Sequence, residues 1–144
     1  MKTTEEPIVL EAEFTASVIK VWEAISCVDS MRQWYFENIP EFQPEVDFRT
    51  QFSVESGERT FTHSWRVVRA ESLSALSYEW SYQEYEGSSI VSFELSEQGN
   101  RTLLRLTHKA TQDFVEDIPE FKREMAVDGW DYLINDRLKS FLES

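Results

Sequence analysis

Hydrophobic and polar residues alternate through most of the chain, and a period of two is typical of β-strands with one buried face. Residues 8–14 show the pattern first, with Glu11 and Glu13 on the polar side. Five further alternating runs begin at about position 45. Polar or glycine-containing turns separate these runs at 56–58, 71–72, 86–88 and 98–100. The pattern predicts six strands that pair with their neighbours as antiparallel hairpins.

The period changes to that of a helix between the first and second strands. Ser17 can cap a helix that begins at Val18, and apolar residues recur at helical spacing up to Ile25. A second short helix should carry Met31 and Trp34. Cys27 lies at the end of the first helix, and we expect it to be buried as a small apolar residue.

The last third of the chain predicts one long helix. An acidic residue and a proline in the segment 117–119 form a start signal, and no later proline precedes Phe141. At about 100° per residue, one apolar face is expected. Its members are Trp130, Ile134, Leu138 and Phe141. Phe121 and Met125 fall on nearly the opposite side, so the pattern predicts a kink or a close packing point near Gly129.

These elements predict a single α+β domain over residues 1–144. Strands with one polar face need a cover for the other face, and the C-terminal helix is the only element long enough to provide it. We therefore expect a curved six-stranded antiparallel sheet wrapped around that helix, with two short helices after the first strand. Residues 1–6 are expected to be disordered.

Composition narrows the classes of function. The chain has 41% apolar residues with five Trp, five Tyr and ten Phe, which indicates a folded core. Its 14 basic and 27 acidic residues give a net charge of −13, which would repel nucleic acid and anionic membrane surfaces. Without an apolar run of about 18 residues or a secretory leader, we expect a cytoplasmic protein with no membrane insertion.

Several short motifs, in order, resemble those of a known superfamily. They are Phe14-Thr15-Ala16-Ser17 with Val21-Trp22-Glu23-Ala24-Ile25, Met31-Arg32-Gln33-Trp34, Trp65-Arg66-Val67, Leu76-Ser77-Tyr78-Glu79-Trp80, Thr102-Leu103-Leu104-Arg105-Leu106-Thr107-His108, and Gly129-Trp130 with Leu133 and Leu138. This order is similar to that of START-like (SRPBCC, helix-grip) proteins. Within them it is similar to the group named after the activator of the heat-shock protein 90 ATPase.

The resemblance implies a function as well as a fold. In this superfamily the sheet and the long helix usually enclose a pocket for a lipophilic molecule. The group's name implies a chaperone ATPase as a partner and a role in stress response. The chain is too short to hold the second domain of the eukaryotic activator. Trp65 stands where a glycine is usual, and we expect its ring to narrow the pocket.

Side chains on the inward parity are the candidate ligand-binding residues. Apolar walls with a few polar tips are what a small-molecule pocket needs, although the same residues can simply fill the core. The predicted pocket residues are Trp34, Phe48, Phe52, His63, Trp65, Trp80, Tyr82, Phe93, His108, Met125 and Trp130. Trp34 is expected near the pocket mouth. A lipophilic or aromatic small molecule is the predicted partner, and no cofactor is predicted.

Other chemistry stays open at this point. His63 and His108 could bind a metal or act as an acid–base pair, as in cyclases and dehydratases of the superfamily, with Tyr82 as a further candidate. Because the carboxylates fall on the outward parity, we predict no metal site. Three hypotheses remain: a binding module, a chaperone-ATPase modulator and an enzyme. We favour the binding module.

Overall fold

One antiparallel sheet forms the body of the protein, as shown by a computed structural model that describes residues 1–143. Its strands are β1 (Ile8–Phe14), β2 (Arg49–Ser56), β3 (Arg59–Glu71), β4 (Ala75–Tyr82), β5 (Tyr85–Gln98) and β6 (Arg101–Gln112). Their order across the sheet is β1-β6-β5-β4-β3-β2. Every neighbouring pair of strands is antiparallel. Strands β2 to β6 pair in sequence order as hairpins, and β1 pairs with the free edge of β6.

Helices cover one face of this sheet. They are α1 (Val18–Ser26), α2 (Val28–Trp34), a 3₁₀ turn (Pro119–Phe121), α3 (Arg123–Asp131), a π-helical segment (Tyr132–Leu138) and α4 (Lys139–Glu143). The last three are continuous, and we call them together the C-terminal helix. The sheet, the two short helices and the C-terminal helix confirm the predicted α+β helix-grip fold.

Pairing across the sheet brings the inward aromatic residues together. Trp65 lies opposite Trp80, and His63 lies between Phe52 and Tyr82 on the neighbouring strands. Because side chains alternate faces along a strand, this register places all of these rings on the helix side. The buried core then continues to the C-terminal helix through Trp130, Ile134, Leu138 and Leu142.

Hydrogen bonds attach the short helices to this core. The Ser17 hydroxyl accepts a bond from the Lys20 amide and caps α1 as expected. Trp34 is completely buried, and its indole Nε1 donates to the Ala24 carbonyl at 2.7 Å. Trp34 therefore joins α2 to α1 and does not stand at a pocket mouth.

The alternating pattern predicts the start of β2 too early. Val46 is exposed, and Asp47 has a φ of 74°, which an extended strand does not allow. The strand begins at Arg49. The amide of Asp47 instead donates to the Val67 carbonyl, so residues 45–48 turn the chain into the sheet.

One predicted turn is also displaced. The chain reverses at Gln83 and Glu84, and Gly87 lies inside β5. Gly87 has a φ of 126°, and a Cβ there would lie 2.4 Å from Phe114 Cδ1. Glycine at this position allows the close passage of Phe114 over the strand.

The predicted C-terminal helix starts later than its sequence signal. Pro119 begins only a 3₁₀ turn, and the extended Lys122 separates that turn from α3. This break lets Phe121 pack on Phe61, Tyr82 and Phe114. Met125, predicted to face the pocket, is 51% exposed on the outer side of α3.

A π-helical segment changes which residues near the end of the C-terminal helix face the core. The Lys139 amide donates to the Ile134 carbonyl, a bond to the fifth preceding residue. The helix turns less per residue there, so Leu142 is buried and Phe141 lies more exposed than predicted. This segment and the break at Lys122 explain the change of apolar face. No close packing occurs at Gly129, where a Cβ would meet nothing within 4 Å.

Two further expectations differ from the structure. Cys27 is exposed where α1 meets α2. The first six residues, expected to be disordered, contact the rest of the fold. The Met1 carbonyl accepts from the Phe114 amide at 3.0 Å, and Lys109 Nζ donates to the Thr3 carbonyl at 2.6 Å.

The close contact at Gly87 generates a stability prediction. Gly87→Ala should lower the free energy of unfolding by about 3 kcal/mol, because it combines a forbidden φ with a clash against the Phe114 backbone. The matched change Gly57→Ala also has positive φ but meets open space, and should cost only about 1 kcal/mol. Urea unfolding measures both values. Equal losses would contradict the role assigned to the Phe114 contact.

Candidate functional site

A cavity of about 150 Å³ lies between the sheet and the start of the C-terminal helix. The sheet supplies residues of β4, β5 and β6, the helix supplies α3, and the segment after β6 closes one side. The lining residues are Met1, Trp80, Tyr82, Ser89, His108, Phe114, Glu120, Phe121, Ala126, Gly129, Trp130 and Leu133. Gly129 borders this space and is itself exposed, which places it at the edge of the cavity.

Aromatic rings form most of the cavity wall. Trp80 and Trp130 meet edge to face with their centroids 5.7 Å apart. On the other side Tyr82 stacks on Phe121 at 5.0 Å, and Phe114 contacts both rings. Such rings present a large apolar surface with a few polar atoms, which suits a lipophilic ligand.

His108 links the sheet to the C-terminal helix. Its Nδ1 accepts a hydrogen bond from Trp130 Nε1 at 2.9 Å, because an indole nitrogen can only donate. The neutral ring must then carry its proton on Nε2, which donates to Ser89 Oγ at 2.8 Å. The Ser89 hydroxyl in turn donates a hydrogen bond to the Trp80 carbonyl at 3.0 Å. Each polar atom in this chain has a partner.

Burial keeps His108 neutral. Desolvation lowers its pKa to about 3. A proton on Nδ1 would also displace the Trp130 donor, so hydrogen bonding favours the neutral form in the same direction. His108 therefore holds Trp130 in place and is not poised to exchange protons near neutral pH.

His63 is buried apart from the cavity. Its Nδ1 lies 3.1 Å from the Phe61 carbonyl, and its ring stacks on Phe52 at 4.9 Å. Desolvation lowers its pKa to about 4. Both histidines are thus uncharged parts of the interior, and they do not form a pair.

Two polar atoms remain near the cavity on β4. Burial raises the pKa of Tyr82 to about 12, so its hydroxyl stays protonated. The Trp80 indole N–H opposes this rise, which places it near the Tyr82 oxygen. Yet Trp80 Nε1 is buried and completes no hydrogen bond with a described residue.

Charged groups of both signs border the cavity. Glu120 Oε2 accepts from Ser56 Oγ at 2.9 Å, which lowers the pKa of this carboxyl, and Oε1 lies 3.6 Å from Arg59 Nη1. The Met1 ammonium donates to the Phe121 carbonyl, and desolvation lowers its pKa. The N-terminal segment therefore crosses one side of the cavity.

Four of the predicted pocket residues line this cavity. They are Trp80, Tyr82, His108 and Trp130. The others lie elsewhere: Phe52, His63, Trp65 and Phe93 are buried in the core, Trp34 is buried between the short helices, Phe48 is half-buried against Phe42, and Met125 is exposed. The predicted set therefore overlaps this cavity at the β4–β6 end of the sheet and at Trp130, and it extends beyond the cavity toward β2 and β3.

Rings from the segment after α2 fill the rest of the space. Tyr35 stacks on Trp34 and Trp65, and Phe36 packs on Phe52 and Trp65. The Tyr35 hydroxyl bonds the Tyr78 hydroxyl at 2.7 Å, and burial raises the pKa of both groups. With Trp65 in this cluster, the cavity is limited to the side of Trp80.

Sequence reasoning missed the remaining lining residues. Ser89 shares the parity of Val91 and Phe93, so the strand pattern could have identified it. Phe114 and Phe121 follow the last strand in a segment without periodicity, and their position depends on long-range packing. Within residues 1–143 no cluster of three metal-ligating side chains occurs, and no helix is long and apolar enough to cross a membrane.

Comparison with solved structures shows where this fold recurs. A Mesorhizobium loti protein has 24% identity and a TM-score of 0.76 over 96% of this chain and 97% of its own. A Chromobacterium violaceum protein has 14% identity and a TM-score of 0.80 over 96% and 97% of the two chains. The Aha1 dimer of Colwellia psychrerythraea has 16% identity and a TM-score of 0.69 over 96% and 97%. These likenesses show the fold alone.

Sequence comparison identifies the family. No curated protein gives a significant match to the chain. The family described as activator of Hsp90 ATPase homolog 1-like protein matches residues 15–143, from the turn before α1 through the C-terminal helix. The predicted resemblance to START-like proteins is thereby confirmed, and the chain belongs to the family of proteins similar to activator of Hsp90 ATPase homolog 1.

Proposed function

We propose that this protein is a START-like binding module that holds a small lipophilic or aromatic molecule between the sheet and the C-terminal helix. The observation that carries the proposal is the cavity beside Trp80 and Trp130, with its aromatic walls and few polar atoms. Ligand sites in proteins are concave and mainly apolar, and a few placed polar groups orient the ligand.

The volume of the cavity sets the size of the ligand. Pockets for drug-sized molecules start at roughly 300 Å³, whereas an apolar cavity of roughly 150 Å³ can hold benzene. At about 150 Å³ this cavity suits a molecule with one ring. A larger ligand would have to extend past the N-terminal segment into solvent.

Gly129 lies at the edge of the cavity. It borders this space but is itself exposed, and an added Cβ would meet nothing within 4 Å. Alanine in the interior of the C-terminal helix would favour the helix by about 1 kcal/mol over glycine.

A screen of small aromatic fragments against the native protein and two Gly129 variants tests the binding function. One-ring aromatic fragments should bind the native protein, and a ligand at roughly one hundred times its Kd should raise the free energy of unfolding by about 2.7 kcal/mol. Gly129→Leu places a large apolar side chain at the edge of the cavity and should weaken this effect. Thermal shift and amide NMR spectra measure both.

Gly129→Ala serves as the matched control for that screen. It should raise stability by about 1 kcal/mol and leave most of the cavity open. Equal fragment responses in the native protein and Gly129→Leu would contradict binding at this site. A complete absence of fragment binding would contradict the function itself.

The histidines give no support to an enzymatic alternative. Both ring nitrogens of His108 are occupied, and burial depresses the pKa of His108 and His63 far below neutral pH. Neither group is a general base poised for work near pH 7. We therefore propose binding without turnover.

The neutral histidines predict acid sensitivity. Histidine in the unfolded chain titrates near pH 6.5, so the unfolded state binds more protons below that pH and folding becomes less favourable. The stability contributed by neutral burial is complete above pH 6.5 and is lost toward pH 4. Between about pH 7.5 and pH 5.5 the two residues should reduce the free energy of unfolding by about 3 kcal/mol.

Urea unfolding at several pH values measures this dependence. A double variant, His63→Gln with His108→Gln, is the control, because only the slope against pH matters and not its absolute stability. NMR titration of the native protein should show neither imidazole changing between about pH 8 and pH 5. A histidine midpoint near 6.5 would contradict the account.

Modulation of a chaperone ATPase is a second proposal, and the family match over residues 15–143 favours it. If the chain acts in this way, adding it to Hsp90 should raise the rate of ATP hydrolysis. Gly129→Leu should act equally well, since the cavity is not the interaction surface in this case. Unchanged hydrolysis together with unchanged NMR spectra of the chain would end this proposal.

A further inference from the structure

One donor at the cavity lacks a partner. Trp80 is 7% exposed and lines the cavity, and its Nε1 lies near the Tyr82 oxygen without meeting the geometry of a hydrogen bond. A buried N–H without an acceptor is costly, because it has given up its bonds to water. An acceptor atom brought into the cavity would recover that bond.

Most other donors around the cavity are already engaged. Trp130, His108 and Ser89 form a closed series of hydrogen bonds that ends on a backbone carbonyl. Glu120 Oε2 accepts from Ser56, whereas Glu120 Oε1, 3.6 Å from Arg59 Nη1, is an acceptor without a hydrogen bond from residues 1–143. Breaking the closed series to bind a ligand would lose as much as it gained, so the donors left for a ligand are the Trp80 N–H and the adjacent Tyr82 hydroxyl.

The cavity disfavours a charged ligand of either sign. A charged group would give up its hydration against the aromatic wall. The charged groups at the border already have partners, since Glu120 accepts from Ser56 and lies near Arg59, and the Met1 ammonium donates to the Phe121 carbonyl. His108 is held neutral by its bonds and cannot compensate a ligand charge.

From these observations, which rest on the proposed binding function, we infer that the ligand is a compact, uncharged aromatic molecule carrying a hydrogen-bond acceptor. Its ring lies against Trp130 and Phe121, and its carbonyl or ether oxygen accepts from Trp80 Nε1. This class excludes pure hydrocarbons as preferred ligands, and it excludes carboxylates and ammonium compounds.

Three probes of nearly equal shape separate these classes. Acetophenone carries an uncharged acceptor, α-methylstyrene replaces that oxygen by a methylene group, and benzoate adds a negative charge. Affinities are measured on the intact chain by NMR, following the Gly129 amide and the Trp80 indole N–H. A net hydrogen bond is worth about three- to tenfold in affinity. Acetophenone should therefore bind more tightly than α-methylstyrene by that factor, and benzoate should bind least.

Two tryptophan variants assign the preference to its donor. Trp80→Phe keeps an aromatic ring but removes the N–H, so acetophenone should bind it no better than α-methylstyrene does. Trp65→Phe is the matched control, because Trp65 Nε1 is also buried without a partner, yet Trp65 does not line the cavity. The preference should survive in Trp65→Phe.

Each outcome decides the inference. Binding of α-methylstyrene as tightly as acetophenone, or an unchanged preference in Trp80→Phe, would overturn it and leave the binding function standing. Preferred binding of benzoate would overturn the argument from charge. If none of the probes binds, both the inference and the proposed function fail. The comparison of probes on the native protein holds even if a variant does not fold.

Discussion

The hydrogen bond from Trp130 to His108 is the contact on which the site depends. It joins the C-terminal helix to β6, and it continues through Ser89 to the backbone of β4, so four elements share one chain of donors and acceptors. This series of hydrogen bonds is complete only while His108 is neutral. Because every atom in it is buried, losing one member would leave others unpaired, which is costly in an apolar interior. The helix is thereby fixed at one distance from the sheet, and that distance leaves the cavity.

The two ends of the inner sheet surface have different packing. At the β2–β3 end, Tyr35, Phe36 and Trp65 fill the space under the strands with stacked rings. At the β4–β6 end, Phe121 packs on Tyr82 from the turn before Lys122, and the space between these rings and Trp130 stays open. A START-like fold thus holds a nearly solid core and a small cavity side by side. The cavity is far smaller than the sheet area would allow, because the aromatic segment after α2 occupies most of it.

Much of the fold was predictable, because its signals are local. Alternation along strands and capping at Ser17 act within a few residues, and they identified six strands, two short helices and the covering helix. The π-helical segment has no such signal, so the helical period predicted Phe141 where Leu142 is buried. Only those residues of the candidate site that lie on regular elements could be predicted, because only they have a local signal. Trp80, Tyr82 and His108 follow strand parity, whereas Phe114 and Phe121 come from an aperiodic segment whose place is fixed by contacts with distant strands.

The central claim is that an open, apolar space exists between Trp80 and the C-terminal helix in the folded protein. Diffraction from a crystal held under xenon pressure tests it most directly, since xenon enters apolar cavities of this volume without needing a specific chemical group. The account predicts a xenon peak bordered by Trp80, Gly129 and Trp130. A Trp80 or Trp130 ring rotated into that volume, with no xenon bound there, would contradict it.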